Sequence, residues 1–488
     1  MGRSLLFDLL DPEEHRAAVV EDGRLAELAL ETEDRRRRQG DVYLGRVHRV
    51  EAAIEAAFVD IGGEKPGFLH ADDVMPLYAG KPEDLTAFEA RPRGAAGRIG
   101  EMLREGQKVL VQVVRDAVGT KGPSLTTYIS LPGRWLVLMP SLERIGVSRR
   151  ITDPEARDRA RGALESLSPP PGMGFIVRTA GAGRDTEDLR REMEALHRVF
   201  RGLGERCRVE SPPLLLLREG SLLVRTLRDW LASEVDEVVV NTPEALEEAG
   251  TFVREASPAW ADRLRLHEGP VPLFHARGIE AAVDRAFERR VPLPGGGSLL
   301  IEPTEALIAV DVNSGKSTKG EDLEETALAT DLKAAEEIAR QLRLRDLGGL
   351  IVVDFIDVRE EANREALNRA VRDALRDDRA RVRCTPLSEF GLVEITRKRT
   401  GPSLRQVLHE GCPSCRGRGV VRTPSSAGLR ALREARALRA AGRKDVALRA
   451  SPEVAAWLRE RKGAALEALG GVRIEEDRAL AAGGFEVA

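Results

Sequence analysis

Cysteine, unbroken apolar sequence and net charge are all scarce in this chain. Four cysteines in 488 residues, Cys207, Cys384, Cys412 and Cys415, are too few and too unevenly spread for the disulfide framework of a secreted protein. No apolar run reaches the roughly 18 residues of a membrane-spanning helix, so no transmembrane segment is expected. The N-terminal MGRSLLFDLLDPEEHR meets acidic residues too soon for a secretory signal. A reducing, cytoplasmic setting is the resulting expectation. A formal net charge of −4 excludes gross attraction of the whole molecule to nucleic acid, while local basic clusters can still form a binding channel. With 42% hydrophobic and 32% charged residues the composition is globular. The length calls for about three or four domains.

Two stretches carry chemistry. LIAVDVNSG at 307–315 and LIVVDFIDV at 350–358 each open with an apolar, β-branched run that suits a strand buried on both faces, and each then carries an aspartate. Between them, Leu323, Leu328, Leu332, Ala335, Ile338, Ala339 and Leu342 recur at helical spacing. Strand, helix and strand predict a right-handed βαβ unit whose adjacent parallel strands bring Asp311 and Asp354 to one edge. A single aspartate there reads as a strand cap or an arginine partner. Two converging carboxylates repel, and leaving them unpaired in an apolar setting costs several kcal/mol; a divalent cation with oxygen ligands, Mg²⁺ first, resolves both problems. The neighbouring SGKST at 314–318 imitates the tail of a phosphate-binding P-loop. The motif's first glycine is missing, because position 310 is Val, so a nucleotide loop is excluded.

Along the chain, SLLFDLL and AELALETE read as short strands, and Arg35 to Arg38 as a solvated loop or a phosphate contact. From Gly40 onward, short alternating segments separated by glycine turns predict a small closed β-barrel that ends near residue 130, after an insertion at 78–100 rich in Gly, Pro and Arg. Phe58 and Phe68 sit near strand ends, Tyr43 and His48 on the preceding strand, and Lys121 in the last loop. In an OB-type barrel these supply stacking platforms and a cation for single-stranded nucleic acid, worth about 1–3 kcal/mol per stacked base. Plain core is the alternative for Phe58.

FIVRTAGAG is a strand running into a glycine turn with Arg178 and Thr179 at the junction. A guanidinium, a hydroxyl and turn amides can hold a terminal phosphate, and an arginine closing a local carboxylate pair is the equal alternative. Residues 185–290 are largely helical by periodicity, broken by the strand VDEVVV, and VPLPGGGSLLIEP forms a hairpin. Arg397, Lys398 and Arg399 end a strand near the aspartates, where they position phosphates or face solvent. In HEGCPSCRGRG, Cys412 and Cys415 provide half of a tetrahedral zinc site. The glycines disfavour a redox pair, which leaves completion by Cys207, Cys384 or His409, or by a second subunit.

LVLMP, GFIVRTAG, DVNSG, RQLRLRDLGGLIVVDFIDV, GLVEITRKRT and CPSCRGRG, in this order, resemble the ribonuclease E/G family. The G branch is the nearer expectation, because ADDVMP follows GFLH and no long scaffold segment trails the core. The resemblance implies an endoribonuclease of ribosomal RNA processing and messenger decay, cutting single-stranded AU-rich RNA to leave 5′-phosphate and 3′-hydroxyl ends. It places Mg²⁺ on Asp311 and Asp354, with Asn313 hydrogen-bonding near the scissile phosphate, and assigns Phe58, Phe68 and Lys121 to RNA. It also implies a 5′-monophosphate pocket of Val137, Arg149, Arg178 and Thr179, and a Zn²⁺ shared between two protomers by Cys412 and Cys415, giving a homodimer or a tetramer.

The implied architecture is multidomain α/β plus a β-barrel. It comprises an RNase H-like domain from 1–39 and 215–280, an OB-fold at 40–130, a sensor region at 131–214 and a DNase I-like catalytic domain at 281–400. A zinc link at 401–420 and a small α/β domain at 421–488 complete it. The competing class is a non-catalytic RNA-binding regulator that uses the OB-fold, against which the intact DVN and DFID motifs argue.

Overall fold

The two apolar runs pair as neighbours and in parallel, Ile308–Asn313 beside Gly349–Asp354, with Val310 opposite Val353 and Asp311 opposite Asp354. The return between them is the helix Leu323–Leu344, long enough to carry the chain back to the sheet's starting edge. This computed structural model describes residues 2–33, 36–117, 121–140, 145–231, 235–256, 258–315, 323–376, 378–399, 403–415, 417–470 and 472–488, apart from 81–96. Most of the insertion at 78–100 and the Lys-Ser-Thr of SGKST therefore lie outside the described residues.

Around that parallel pair the sheet is antiparallel. Its order is Arg290–Pro292, Ser298–Pro303, Ile308–Asn313, Gly349–Asp354, Leu392–Arg397 and Val382–Cys384. A Cβ at Gly297, in the turn of the first hairpin, would come within 2.6 Å of the Asn313 carbonyl oxygen, and the residue has φ of 87°. Glycine there lets the turn press on the end of the aspartate strand.

The expectation that these strands are buried on both faces is corrected. Ile308, Val310 and Val312 are buried, whereas Asp311 and Asn313 are exposed; Ile351 and Val353 are buried, whereas Leu350 and Asp354 are exposed. The inward residues share one core with Ile338 and Leu342 of the helix Leu323–Leu344 and with Leu367, Val371 and Leu375 of the helix Glu361–Arg376. Helices cover that face, and the carboxylates stand on the other.

The barrel is closed. Strands Val42–Glu51, Ala56–Asp60, Gly67–His70, Ser124–Thr126 and Lys108–Arg115 are bonded in that order, and the last pairs back onto the first. Its interior is continuous with a four-stranded sheet of Ile145–Val147, Met173–Val177, Leu136–Pro140 and Leu131–Pro132, since Val59, Leu69, Val111, Leu138, Phe175 and Phe200 belong to one core. A fourth sheet joins distant sequence: Arg3–Asp8 runs parallel to Val235–Val240 and antiparallel to Glu14–Glu21.

Residues 1–407 form one compact unit and 408–488 another. In the second, helices Pro424–Ala440 and Pro452–Ala468 and a three-stranded sheet enclose Ala427, Ala431, Leu448, Val454 and Leu458. Among the described residues no helix is long and apolar enough to cross a membrane.

Candidate active site and nucleic-acid interface

Alternation along the two parallel strands sends Val310 and Val353 inward and the next residues, Asp311 and Asp354, outward at the same register position. Asn313, two residues beyond Asp311, therefore shares its face, and its Nδ2 donates to Asp311 Oδ2 at 2.7 Å. Partial burial, then the charges of Asp311 and Asp357, push the Asp354 carboxyl above the usual carboxylate range. Each source disfavours a second negative charge and favours a cation beside it.

Sequence reasoning passed over Asp331. It is fully buried on the helix Leu323–Leu344, and its Oδ1 accepts the backbone N–H of Ile356, two residues after Asp354, at 3.1 Å. The donor set suits a hard divalent ion: two neighbouring carboxylates on an open face match Mg²⁺, which keeps several waters and leaves room for a substrate phosphate. Among the described residues no group of three or more His, Cys, Asp and Glu side chains could hold a metal.

On the barrel, Phe58 and Phe68 lie opposite each other on paired strands, both half-buried, with ring centroids 6.0 Å apart at 70°. Arg49 sits over the Phe58 ring at 5.3 Å. Tyr43 is buried in the core, while His48 is exposed. Lys121 is exposed, and at the adjoining Gly122 a Cβ would meet the Pro66 carbonyl oxygen at 2.1 Å. The loop bearing Lys121 is thus pressed against the turn that leads into Phe68. The structure places Phe58 and Phe68 on paired strands of the barrel and Lys121 in the loop just before the strand Ser124–Thr126.

Val137, Arg178 and Thr179 line a cavity of about 1100 Å³ in the first unit. Nine arginines reach it, against the carboxylates Glu27, Asp229 and Asp346. Thr179 Oγ1 lies 3.3 Å from Ser148 Oγ. Arg178 donates to the Gly133 carbonyl oxygen and to Asp229 Oδ1, each at 2.6 Å. Burial pushes the Asp229 carboxyl up, but Arg228 and Arg178 outweigh it and hold the group below its ordinary range. Arg149 is exposed and does not line the cavity; its neighbour Arg150 does, donating to the Asp378 carbonyl oxygen at 3.1 Å. Of the arginine run near residue 36, Arg37 also lines it. Arg397 belongs to a buried ion-pair cluster, with Asp378 at 2.8 Å and Asp346 at 2.7 Å.

In the second unit, Cys412 and Cys415 lie in a turn well before the helix Pro424–Ala440, not at a helix start after a strand as a redox pair requires. The backbone N–H groups of Cys415 and Ser414 hold the Cys412 thiol below its ordinary range. Cys207 is buried in the first unit's core, and Cys384 packs against the core of the six-stranded sheet.

Comparison with known proteins matches residues 130–400 to a model described as the Ribonuclease E/G family, and residues 411–481 to one described as RNase E/G, Thioredoxin-like domain. The chain is 42% identical over 432 residues to Ribonuclease E of Haemophilus influenzae, covering 88% of this chain and 45% of that protein. Ribonuclease E of Escherichia coli K12 is 41% identical over 433 residues, with 88% and 40% covered. Ribonuclease G of Escherichia coli K12 is 39% identical over 423 residues, with 87% and 85% covered. The chain thus spans less than half of these ribonuclease E proteins and most of the ribonuclease G one, while the identities themselves do not separate the two branches. Because the first model matches more than half of the chain, including the aspartate pair and the arginine-lined strand ends, the chain belongs to the ribonuclease E/G family.

Proposed function

We propose that the protein is a Mg²⁺-dependent endoribonuclease that cleaves single-stranded, AU-rich RNA, leaving 5′-phosphate and 3′-hydroxyl ends, and that prefers 5′-monophosphorylated substrates. Ribosomal RNA processing and messenger decay are the setting that the family suggests. The observation that carries the reading is the in-register pair Asp311 and Asp354 on an open sheet face, with Asn313 bonded to the first. Bound by these carboxylates, Mg²⁺ supplies positive charge to a phosphodiester oxygen and acidity to a water.

The chain's own residues do the remainder. Asn313 fixes the orientation of the Asp311 carboxylate, and the rings of Phe58 and Phe68 stack unpaired bases. Lys121 meets a backbone phosphate beside them. In the cavity, Arg178, Thr179 and Val137 face a terminal phosphate, with Arg150 standing where Arg149 was expected. The RNase H-like and DNase I-like assignments of the N-terminal and six-stranded sheets belong to the same reading, as does a Zn²⁺ shared by Cys412 and Cys415 of two protomers.

Cleavage of a fluorescent single-stranded RNA with and without divalent ions tests the activity. Asp311→Asn and Asp354→Asn should each lower turnover by about 100-fold or more, on the order of 3 kcal/mol at the transition state, with RNA affinity nearly unchanged. Tight RNA binding without divalent-dependent cleavage in the unaltered protein would instead establish a binding regulator. Arg178→Ala should slow cleavage of 5′-monophosphorylated RNA and leave the 5′-hydroxyl substrate nearly unchanged; equal slowing of both would make the Arg178–Asp229 pair purely structural.

A further inference from the structure

Given the cleavage site proposed on Asp311 and Asp354, on which this step rests, we infer that Phe390 is its base-stacking residue, holding an unpaired base of the RNA strand next to the phosphate to be cut.

Phe390 is the one exposed aromatic among the described residues, with 83% of its surface free. It stands in the turn at 388–391, which leads into the strand Leu392–Arg397. That strand runs antiparallel to Gly349–Asp354, and Leu392 lies opposite Asp354 in register, so the two side chains share the open face of the sheet. Opposed residues of such a pair have Cα atoms about 5 Å apart, and two residues of chain span at most about 7 Å, which keeps the Cα of Phe390 within about 12 Å of that of Asp354. The segments that follow the two residues are bonded directly, the Phe355 N–H donating to the Gly391 carbonyl oxygen at 3.3 Å.

The backbone beneath the ring is fixed. Ser388 Oγ accepts the N–H groups of Phe390 and Leu392 at 3.3 and 3.1 Å, and the Gly391 N–H donates to the Ser388 carbonyl oxygen at 3.1 Å. Arg364, on the helix Glu361–Arg376, donates to the carbonyl oxygens of Leu387, Ser388 and Val358 at 3.2, 2.9 and 3.5 Å. One guanidinium thus joins this turn to the loop that follows Asp354. Gly391 has φ of 77°, and a Cβ there would come within 3.3 Å of Asp357 Oδ1, so glycine lets the turn sit against that loop. A ring presented on a backbone already in place costs little further ordering when a ligand binds.

The occupant is a single base. Glu389 and Asp357 beside the turn are exposed and charged, so the apolar surface is one ring, far short of the roughly 800 Å² per partner that a stable protein interface buries. Every base has a flat face that stacks on a phenyl ring, and phenylalanine has no group with which to read a base edge. The site therefore accepts any base, provided that it is unpaired and free to leave its neighbours. This imposes single-strand selectivity at the cut itself, independently of the barrel.

The test uses the full chain and short single-stranded RNAs in which one nucleotide after another around the cut is made abasic. With the unaltered protein, loss of the base at one position beside the cut should lower kcat/KM about tenfold. Phe390→Ala should show the same loss on the intact RNA, and removing that base should then add nothing. Phe390→Tyr keeps a ring and should cleave nearly as the unaltered protein does, and the melting temperatures of all three should coincide because the exposed ring has little packing to lose. Cleavage by F390A at the unaltered rate, equal losses in F390A and F390Y, or an abasic penalty that persists in F390A overturns the inference. So does a change of oligomeric state in F390A on light scattering, which would make the ring a contact between copies of the chain.

Affinities of the same RNAs without divalent ions separate this inference from the reading beneath it. A loss of affinity at one abasic position that depends on Phe390, in a protein that does not cleave, keeps the stacking contact and overturns the nuclease reading. Cleavage that needs Asp311 and Asp354 but is indifferent to Phe390 overturns the stacking contact alone.

Discussion

Asp331 is the residue whose chemistry departs furthest from its sequence pattern. Burial pushes its carboxyl up to about 7, the Ile356 N–H pulls against that shift, and Asp357 adds to it. A raised carboxyl pKa means that the folded protein holds a proton that the unfolded chain has released, so stability falls as pH climbs from about 4 to about 7 and levels off above. Asp331→Asn keeps the acceptor for Ile356 and never ionises. Melting of the two proteins should therefore nearly coincide at the acid end of this window and diverge at pH 8, the variant ahead by roughly a few kcal/mol. A constant offset at every pH would show that the carboxyl does not titrate there. Asp311 and Asp354 stand out in the sequence as candidates because a carboxylate after an apolar run has no packing role, and the register places them side by side. Asp331 was missed although it falls at helical spacing from Ala327, Ala334, Ala335 and Ile338, all buried. Spacing gave the signal, but a charge on a helix was assumed to face solvent. Arg397 shows the reverse error, a basic strand end that turns inward to Asp378 and Asp346.

Among the elements, those defined by period and punctuation could be read in advance: the strand-helix-strand unit, the glycine hairpin before it, and the closed barrel. Which face of the aspartate strands is open could not be, because a run such as LIVV looks alike whether one or two layers cover it, and the layer depends on distant helices. The barrel edge offers a direct test of whether Phe58 and Phe68 serve as a stacking surface or as ordinary packing. Leucine keeps most of the apolar burial and removes the ring face, so Phe58→Leu and Phe68→Leu should each weaken single-stranded RNA binding by about 1–3 kcal/mol. Lys121→Ala should act differently, lowering the dependence of log affinity on log salt by about 0.7. If the leucine variants lose thermal stability and bind RNA normally, the rings are core and the stacking surface lies elsewhere.

At the scale of the whole molecule, the zinc site proposed at Cys412 and Cys415 needs more ligands than this turn provides. Tetrahedral zinc needs four ligands, and two thiolates fill half of them. Both cysteines lie in one turn of the second unit, and the N–H groups around Cys412 already favour its thiolate. Cys207 is committed to the first unit's core, and Cys384 packs against the six-stranded sheet. In the proposed reading a second copy of the same turn, rather than His409, would supply the missing pair by symmetry, and the ion would then link two protomers. Structural zinc is worth on the order of 10–16 kcal/mol in small peptides at neutral pH, enough to hold a dimer whose protein interface is modest. Cys415→Ser should therefore lose metal and dimer together, whereas Cys207→Ser should change neither. Metal analysis and light scattering on one sample check both: one zinc per two chains in a dimer or larger assembly is expected, and one zinc per chain in a monomer would show that the site is completed within a single chain.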